Sequence, residues 1–143
     1  MALDDLGLAP AIRWYAETHL EEAGIIASVE VHQPTWRLPQ HLEVSLFRMV
    51  QEAVNNIVRH AEARHAQIRL EFRDSVASVR VSDDGRGFDK DRVLGLAVHS
   101  RSVGLLGTQE RVRLLEGSVT IDSHTGAGTT FSIEIPIEEG ATQ

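Results

Sequence analysis

Three side chains suited to ligand binding stand four and three positions apart at Glu52, Asn56 and Arg59. At roughly 100° per residue of an α-helix, they lie within about 60° of one another. A carboxylate, an amide and a guanidinium in one line can hold a hydrated divalent cation and a polyphosphate, because an amide oxygen is a hard ligand for Mg²⁺. The same spacing also fits a solvated helix face with ordinary charge pairs, so the stripe alone does not decide the matter.

Two glycine-containing segments follow this stripe. Residues 83–88 read DDGRGF after a predicted strand, and residues 104–107 read GLLG where a helix is predicted to open. Glycine lets a ligand approach the backbone, a strand-end carboxylate can accept from an adenine amine, and N–H groups at a helix start bind phosphate. An Asp-Gly turn and a helix start packed with small residues are the alternatives. The three features in this order predict a nucleotide pocket.

The elements that must position these residues follow from hydrophobic periodicity. Helical spacing predicts helices at residues 8–23, about 40–60 and 106–115. Alternation predicts two hairpins and a short separate strand, at residues 66–83, 119–137 and 27–31. Residues 88–103 have no clean period and are predicted to form a mobile flap. The pattern predicts an α/β two-layer sandwich, with one mixed, mostly antiparallel sheet covered on one face by about three helices.

Composition excludes several classes of function. The 143 residues include no cysteine, so disulfides, zinc–thiolate sites and thiol nucleophiles are impossible. A net charge of −7 argues against a nucleic-acid surface, and no apolar run approaches a membrane span of roughly 20 residues. We expect residues 1–143 to form a single domain that is cytoplasmic and monomeric. Within it, residues 1–24 are the leading helical segment and residues 138–143 a polar tail.

The ordered segments resemble the catalytic ATP-binding domain of bacterial sensor histidine kinases, of the Bergerat-fold (GHKL) superfamily, and in particular the subfamily partnering NarL-type response regulators. Residues 46–61, LFRMVQEAVNNIVRHA, resemble its N box. Residues 81–88 and 104–115 resemble its first and second glycine boxes, and residues 123–130 resemble its closing hairpin. Three positions differ from the common pattern of that family, namely Asp84, Ser102 and Thr108.

The resemblance implies a role for each matching position. Asn56 would be the Mg²⁺ ligand, and Glu52 would orient the attacking group or act as general base. Asp83 would bind the adenine amino group. Asn55 is one residue out of register and is given no role. The other nucleotide-binding positions that the resemblance implies are Arg59, His60, Gly85, Gly87, Gly104, Leu105, Gly107 and Thr129.

The resemblance further implies binding of ATP with Mg²⁺ and donation of the γ-phosphoryl group to a histidine in two-component signalling. No histidine here stands in the family's phosphoacceptor context. The acceptor is therefore expected on a separate dimerisation domain, with a NarL-type response regulator as the indirect partner. Two alternatives stay open. One is an anti-sigma-factor-like serine kinase of the same fold, and the other is a module that binds ATP without turning it over.

Overall fold

The computed structural model describes residues 7–32, 38–73, 75–87 and 100–137, with residues 100–106 described by their backbone alone. The three helices are α1 (Leu8–Glu22), α2 (Gln40–Asn56) and α3 (Ser100–Leu114). A π-helical turn, Ile57–Ala61, continues directly from α2. The strands are β1 (Ile26–His32), β2 (His65–Arg73), β3 (Val76–Asp83), β4 (Ser118–Ser123) and β5 (Thr129–Pro136).

The strands form one sheet in the order β1-β2-β3-β5-β4. β1 runs parallel to β2, and every other neighbouring pair is antiparallel. Short turns connect β2 to β3 and β4 to β5, as antiparallel hairpins permit, whereas the parallel pair needs a long crossover that α2 supplies. The predicted mixed, mostly antiparallel sheet with three helices is therefore confirmed.

One face of the sheet is shielded from water because apolar residues alternate with polar ones along the strands. In β2 and β3, Ile68 pairs with Val81 and Leu70 with Val79, and all four are buried. Between them Arg69 faces Arg80 on the exposed side. The core side is closed by apolar residues of α1 and α2, chiefly Leu8, Ile12, Leu20, Leu46, Met49, Val50 and Val54. No helix in the described ranges has both the length and the hydropathy to span a bilayer.

Two long-range hydrogen bonds fix α1 against its neighbours. Arg13 donates from Nη1 to the carbonyl oxygen of Val29 in β1, at 2.9 Å. Tyr15 donates its hydroxyl hydrogen to Oδ1 of Asn55 in α2, at 2.8 Å. The amide of Asn55 is thus used to attach α1 to α2, which agrees with its having no predicted ligand role.

Two predicted helix boundaries are wrong. The helix predicted over residues 40–60 is α-helical only to Asn56, and the following turn has π geometry. A π turn closes with i→i+5 bonds, so Arg59 and His60 no longer follow the α-helical angular step from Asn56. The third helix begins at Ser100, so the GLLG segment lies inside α3 rather than at its start. Tertiary packing of α3 outweighs the cost of about 1 kcal/mol for a glycine in a helix.

Several predicted segments extend beyond the described residues. Of the predicted flap, residues 100–103 are helical, and residues 88–99 lie outside the description. Residues 1–6 of the leading segment and the polar tail at 138–143 also lie outside it. The flap, the tail and the single-domain assignment of residues 1–143 therefore stay predictions.

The same substitution is expected to have opposite effects at two glycines. A Cβ at Gly117 would clash with the carbonyl oxygen of Glu134 in β5, whereas one at Gly107 meets no atom within 4 Å. We expect Gly117→Ala to lower the free energy of unfolding by about 1–3 kcal/mol. Gly107→Ala, inside α3, should raise it by about 0.5–1 kcal/mol. Urea unfolding followed by circular dichroism measures both, and a Gly117→Ala variant as stable as wild type would contradict this packing.

Candidate functional site

A small, partly open cleft lies between α2, α3 and β5. Its walls are mainly apolar, and its polar side chains come from two positions on α2 and one on α3. The lining residues are Met49, Glu52, Ala53, Asn56, Thr108, Phe131 and Ile133. An apolar concavity with a few polar anchors is typical of a site for a small organic ligand.

The structure brings Glu52 and Asn56 together in this cleft, one helical turn apart on α2. Both side chains are half-buried. Arg59 is exposed on the π-helical turn and does not line the cleft. The carbonyl oxygen of His60 accepts a hydrogen bond from Nε of Arg86, at 2.7 Å. The π turn therefore separates the predicted stripe, and the phosphate-side roles of Arg59 and His60 stay predictions.

The Glu52 carboxylate is held from α3 at both oxygens. Thr108 donates its hydroxyl hydrogen to Oε2 at 2.7 Å, and Arg111 donates from Nη1 to Oε1 at 2.8 Å. Thr108 and Arg111 lie three residues apart, so they share one face of α3. Sequence reasoning missed both contacts. Spacing within α3 places the two residues on one face, but it carries no signal for a partner on α2.

Asp83 and Thr129 meet at the ends of neighbouring strands, where β3 finishes and β5 starts. One Asp83 oxygen, Oδ1, accepts the backbone N–H of Gly85 at 2.8 Å, which closes an Asx-type turn. Thr129 lies two residues before Phe131 on the same face of β5, hence about 7 Å further along the strand. These two predicted site residues therefore border the cleft without lining it.

Gly85 and Gly87 are glycines because protein backbone approaches them. A Cβ at Gly85 would clash with the carbonyl oxygen of Ala61, which also accepts the Arg86 N–H at 2.7 Å. Gly87 has a φ of 63°, and its Cβ would clash with the carbonyl oxygen of His124. The sequence argument attributed these glycines to close approach of a ligand. The observed close approach is to other parts of the chain, so their nucleotide-binding roles stay predictions.

The remaining predicted positions divide between α3 and the β4–β5 hairpin. Gly104 and Leu105 lie within α3, where only the backbone is described, and Gly107 is exposed on the same helix. Thr129 is buried, with its hydroxyl oxygen 2.7 Å from that of Ser123. Ser123 was not a predicted site residue. Its hydroxyl restrains that of Thr129.

Asp84 is exposed and holds the start of β2. Its Oδ1 accepts the backbone N–H groups of Arg64 and His65, at 2.8 and 2.9 Å. Its Oδ2 lies 2.8 Å from Nδ1 of His65. The hydrogen bond from the His65 backbone, followed by the one from its ring, lowers the pKa of Asp84 to about 2. The negative charge of Asp84 is therefore engaged in hydrogen bonds to Arg64 and His65.

Comparison with known proteins shows the family. The family model described as "Histidine kinase-, DNA gyrase B-, and HSP90-like ATPase" matches residues 41–139. The signal transduction histidine-protein kinase/phosphatase DegS of Brevibacillus brevis is 39% identical over 96% of this chain and 34% of its own length. The oxygen sensor histidine kinase NreB of Staphylococcus carnosus is 32% identical over 96% of this chain and 39% of its own. The chain spans about a third of the length of these curated relatives.

Solved structures agree with the observed architecture. The blue-light activated histidine kinase of Erythrobacter litoralis EL346 aligns with a TM-score of 0.75, covering 95% of this chain and 43% of that one, at 21% identity. The Acinetobacter baumannii histidine kinase AdeS aligns with a TM-score of 0.70, covering 92% of this chain and 64% of that one, at 15% identity. At such identities the likeness establishes the fold alone.

We expect the Asp84 contacts to give a pH-dependent contribution to stability. Because folding lowers its pKa from 3.8 to about 2, the contribution is complete above about pH 4 and is lost as the pH falls towards 2. Asp84→Ala should lower the free energy of unfolding at pH 7 by about 1 kcal/mol, a value reduced for solvent screening. Urea unfolding at several pH values measures this difference, which should narrow between pH 4 and 2.

The matched control for this experiment is Asp122→Ala. Asp122 is also an aspartate beside a histidine, but its pair with His124 is exposed at 3.4 Å. Its loss should change the free energy of unfolding by no more than a few tenths of a kcal/mol, roughly, at any pH. Equal, pH-independent effects of the two substitutions would contradict the role assigned to Asp84.

Proposed function

The chain belongs to the family of histidine kinase-, DNA gyrase B- and HSP90-like ATPases, and from that membership we propose that it binds ATP with Mg²⁺ and donates the γ-phosphoryl group to a histidine. The acceptor histidine lies on a separate dimerisation and phosphoacceptor domain. A NarL-type response regulator is the downstream partner, and the site of action is the cytoplasm. The similarity to DegS and NreB, both named as histidine kinases, supports this assignment.

One observation carries the proposal. Glu52 and Asn56 line the same cleft, and the strand ends bearing Asp83 and Thr129 border it. A carboxylate, an amide, a second carboxylate and a hydroxyl thus meet around one largely apolar concavity. A purine needs an apolar slot with a few polar anchors, and a polyphosphate needs polar groups at its mouth. The apolar walls and the polar groups of α2, β3 and β5 support the proposal on both points.

The described residues fit a magnesium ion carried in by the nucleotide. Asn56 offers an amide oxygen at the cleft wall, and no group of three or more acidic or histidine side chains in the described part of the chain could hold a metal. Mg²⁺ typically takes few protein ligands and keeps phosphate oxygens and waters. Asn56 is therefore assigned as its ligand. When bound, the ion would neutralise charge on the phosphate oxygens.

The roles of the other residues are proposed from the family resemblance. Asp83 and Thr129 bind the adenine side, and Gly85 and Gly87 form the loop that supports them. Arg59 and His60 follow Asn56 on the π-helical turn and are assigned to the phosphate side. Within α3, Gly104, Leu105 and Gly107 complete that side. Catalysis would then come mainly from positioning of reactants and from charge stabilisation, with Glu52 orienting the attacking histidine or accepting its proton.

A second candidate function is an ATP-binding module without phosphotransfer. It is favoured by the state of Glu52, because both carboxylate oxygens already accept hydrogen bonds from α3. Two of its lone pairs are thus occupied, and a general base needs one of the remaining lone pairs directed at the proton that it takes. ATP binding is common to both candidates, so phosphotransfer is the measurement that separates them.

Nucleotide binding is tested by titrating the chain with ATP and Mg²⁺ in a calorimeter. Asn56→Ala and Asp83→Asn should each weaken binding about 5- to 150-fold, since each removes a polar contact worth about 1–3 kcal/mol. Asn55→Ala is the matched control, because the Asn55 amide contacts Tyr15 outside the cleft. It should change affinity less than about twofold. Wild-type affinity in both Asn56→Ala and Asp83→Asn would show the assignment to be wrong.

Phosphotransfer is tested with labelled ATP and two separate acceptors, a histidine phosphoacceptor domain and an anti-anti-sigma protein. We expect label on the histidine domain alone, with a rate that falls about 100-fold in Glu52→Ala. Glu71→Ala is the control, since Glu71 pairs with Arg69 and Arg73 on the outer face of the sheet. Label on the anti-anti-sigma protein would favour the serine kinase, and binding without transfer would favour the second candidate.

A further inference from the structure

Helix α3 contacts α2 at the Glu52 carboxylate. Thr108 and Arg111 take one Glu52 oxygen each, at 2.7 and 2.8 Å. They are separated from Glu52 by 56 and 59 positions in the chain, so the contact joins parts of the protein distant in sequence. Two donors on separate oxygens restrain rotation of the carboxylate as well as its position.

Burial distinguishes this arrangement from an ordinary surface pair. The side chains of Arg111 and Glu52 are 29% and 36% exposed, and Thr108 is buried. On the outer side of the same helix, Arg113 pairs with Glu110, and those side chains are 70% and 56% exposed. Solvent screens the outer pair strongly and the inner group less. Both ion pairs use an arginine of α3 and a glutamate. They differ in how far solvent reaches them, and only the Arg111–Glu52 pair includes a residue that lines the cleft.

We propose that Thr108 and Arg111 are positioning residues for Glu52. They fix the direction of its carboxylate at the cleft wall, so the placement of α3 determines how that carboxylate meets an incoming reactant. The inference rests on the proposed phosphotransfer function and deepens it. Each Glu52 oxygen accepts one of these hydrogen bonds and keeps a second lone pair, so the two contacts fix the direction in which that lone pair can meet a proton. The rate of transfer therefore depends on α3 as well as on the presence of Glu52.

A purely structural clamp is the rival explanation. If the contacts only hold α3 on α2, their loss lowers stability but leaves the turnover of each folded molecule unchanged. If they orient Glu52, their loss lowers kcat while the KM for ATP changes little. The reason is that Glu52 acts on the attacking group, and Asn56 and Asp83 are the residues assigned to nucleotide binding. The split between kcat and KM separates the two explanations.

The test measures kcat and the KM for ATP with the chain and a supplied histidine phosphoacceptor domain, at a temperature where every variant is folded. Arg111→Gln should lower kcat about 10- to 100-fold, with KM within about threefold of wild type. Arg113→Gln, the matched control on the same helix, should keep the wild-type kcat. Thr108→Val should lower kcat about 3- to 10-fold, and Thr108→Ser, which retains the hydroxyl, should restore most of it.

A double-mutant cycle completes the test. In a Glu52→Gln background, Arg111→Gln should cause little further loss of kcat, because residues that act through one group are non-additive. Additive losses, or an unchanged kcat in both Arg111→Gln and Thr108→Val, would overturn the inference alone. A wild-type chain that binds ATP but transfers no phosphoryl group would overturn the proposed function and this inference with it.

Discussion

One face of the five-stranded sheet must be kept from water, and this requirement determines where polar chemistry is possible. Along the strands, side chains that point to the helices are buried and apolar, as Ile68, Val79 and Ile133 illustrate. Polar side chains of the strands can point to the helix-covered face only where the helices no longer cover the sheet. Asp83 closes β3, Thr129 opens β5 and Asn56 closes the α-helical part of α2. The candidate site therefore lies where several elements end together at the border of the core, which combines an apolar wall with hydrogen-bonding groups.

The glycines near the site are explained by close approach of protein backbone. The sequence alone could not distinguish this from close approach of a ligand. Gly85 contacts the carbonyl of Ala61, Gly87 that of His124, and Gly128 that of Asp83. Each removes a Cβ where two backbone segments cross. The loop after β3 is thereby attached to the π-helical turn on one side and to the β4–β5 hairpin on the other. This attachment fixes the strand end that carries Asp83, so a glycine motif can serve a site through packing without touching a ligand.

Local patterns predicted the fold well, and long-range contacts account for what they missed. Period-two alternation placed β2 and β3, and helical spacing placed α1 within one residue of its observed end. The π turn could not be read because its residues carry no periodicity different from an α-helix. The early start of α3 was missed because Gly104 and Gly107 resembled a helix start. For the site, spacing on α2 united Glu52 with Asn56, but partners 56 and 59 residues away have no local signal.

The hydrogen bond between Arg13 and the Val29 carbonyl has a consequence beyond anchoring α1. β1 is an outer strand of the sheet, with β2 as its neighbour on one side. The free margin of an outer strand presents backbone groups that can pair with a strand of another molecule, which leads to aggregation. Val29 lies mid-strand, and its carbonyl already accepts from a guanidinium. A foreign strand would have to displace that charged donor and disturb α1, so the domain is protected against edge-to-edge association there.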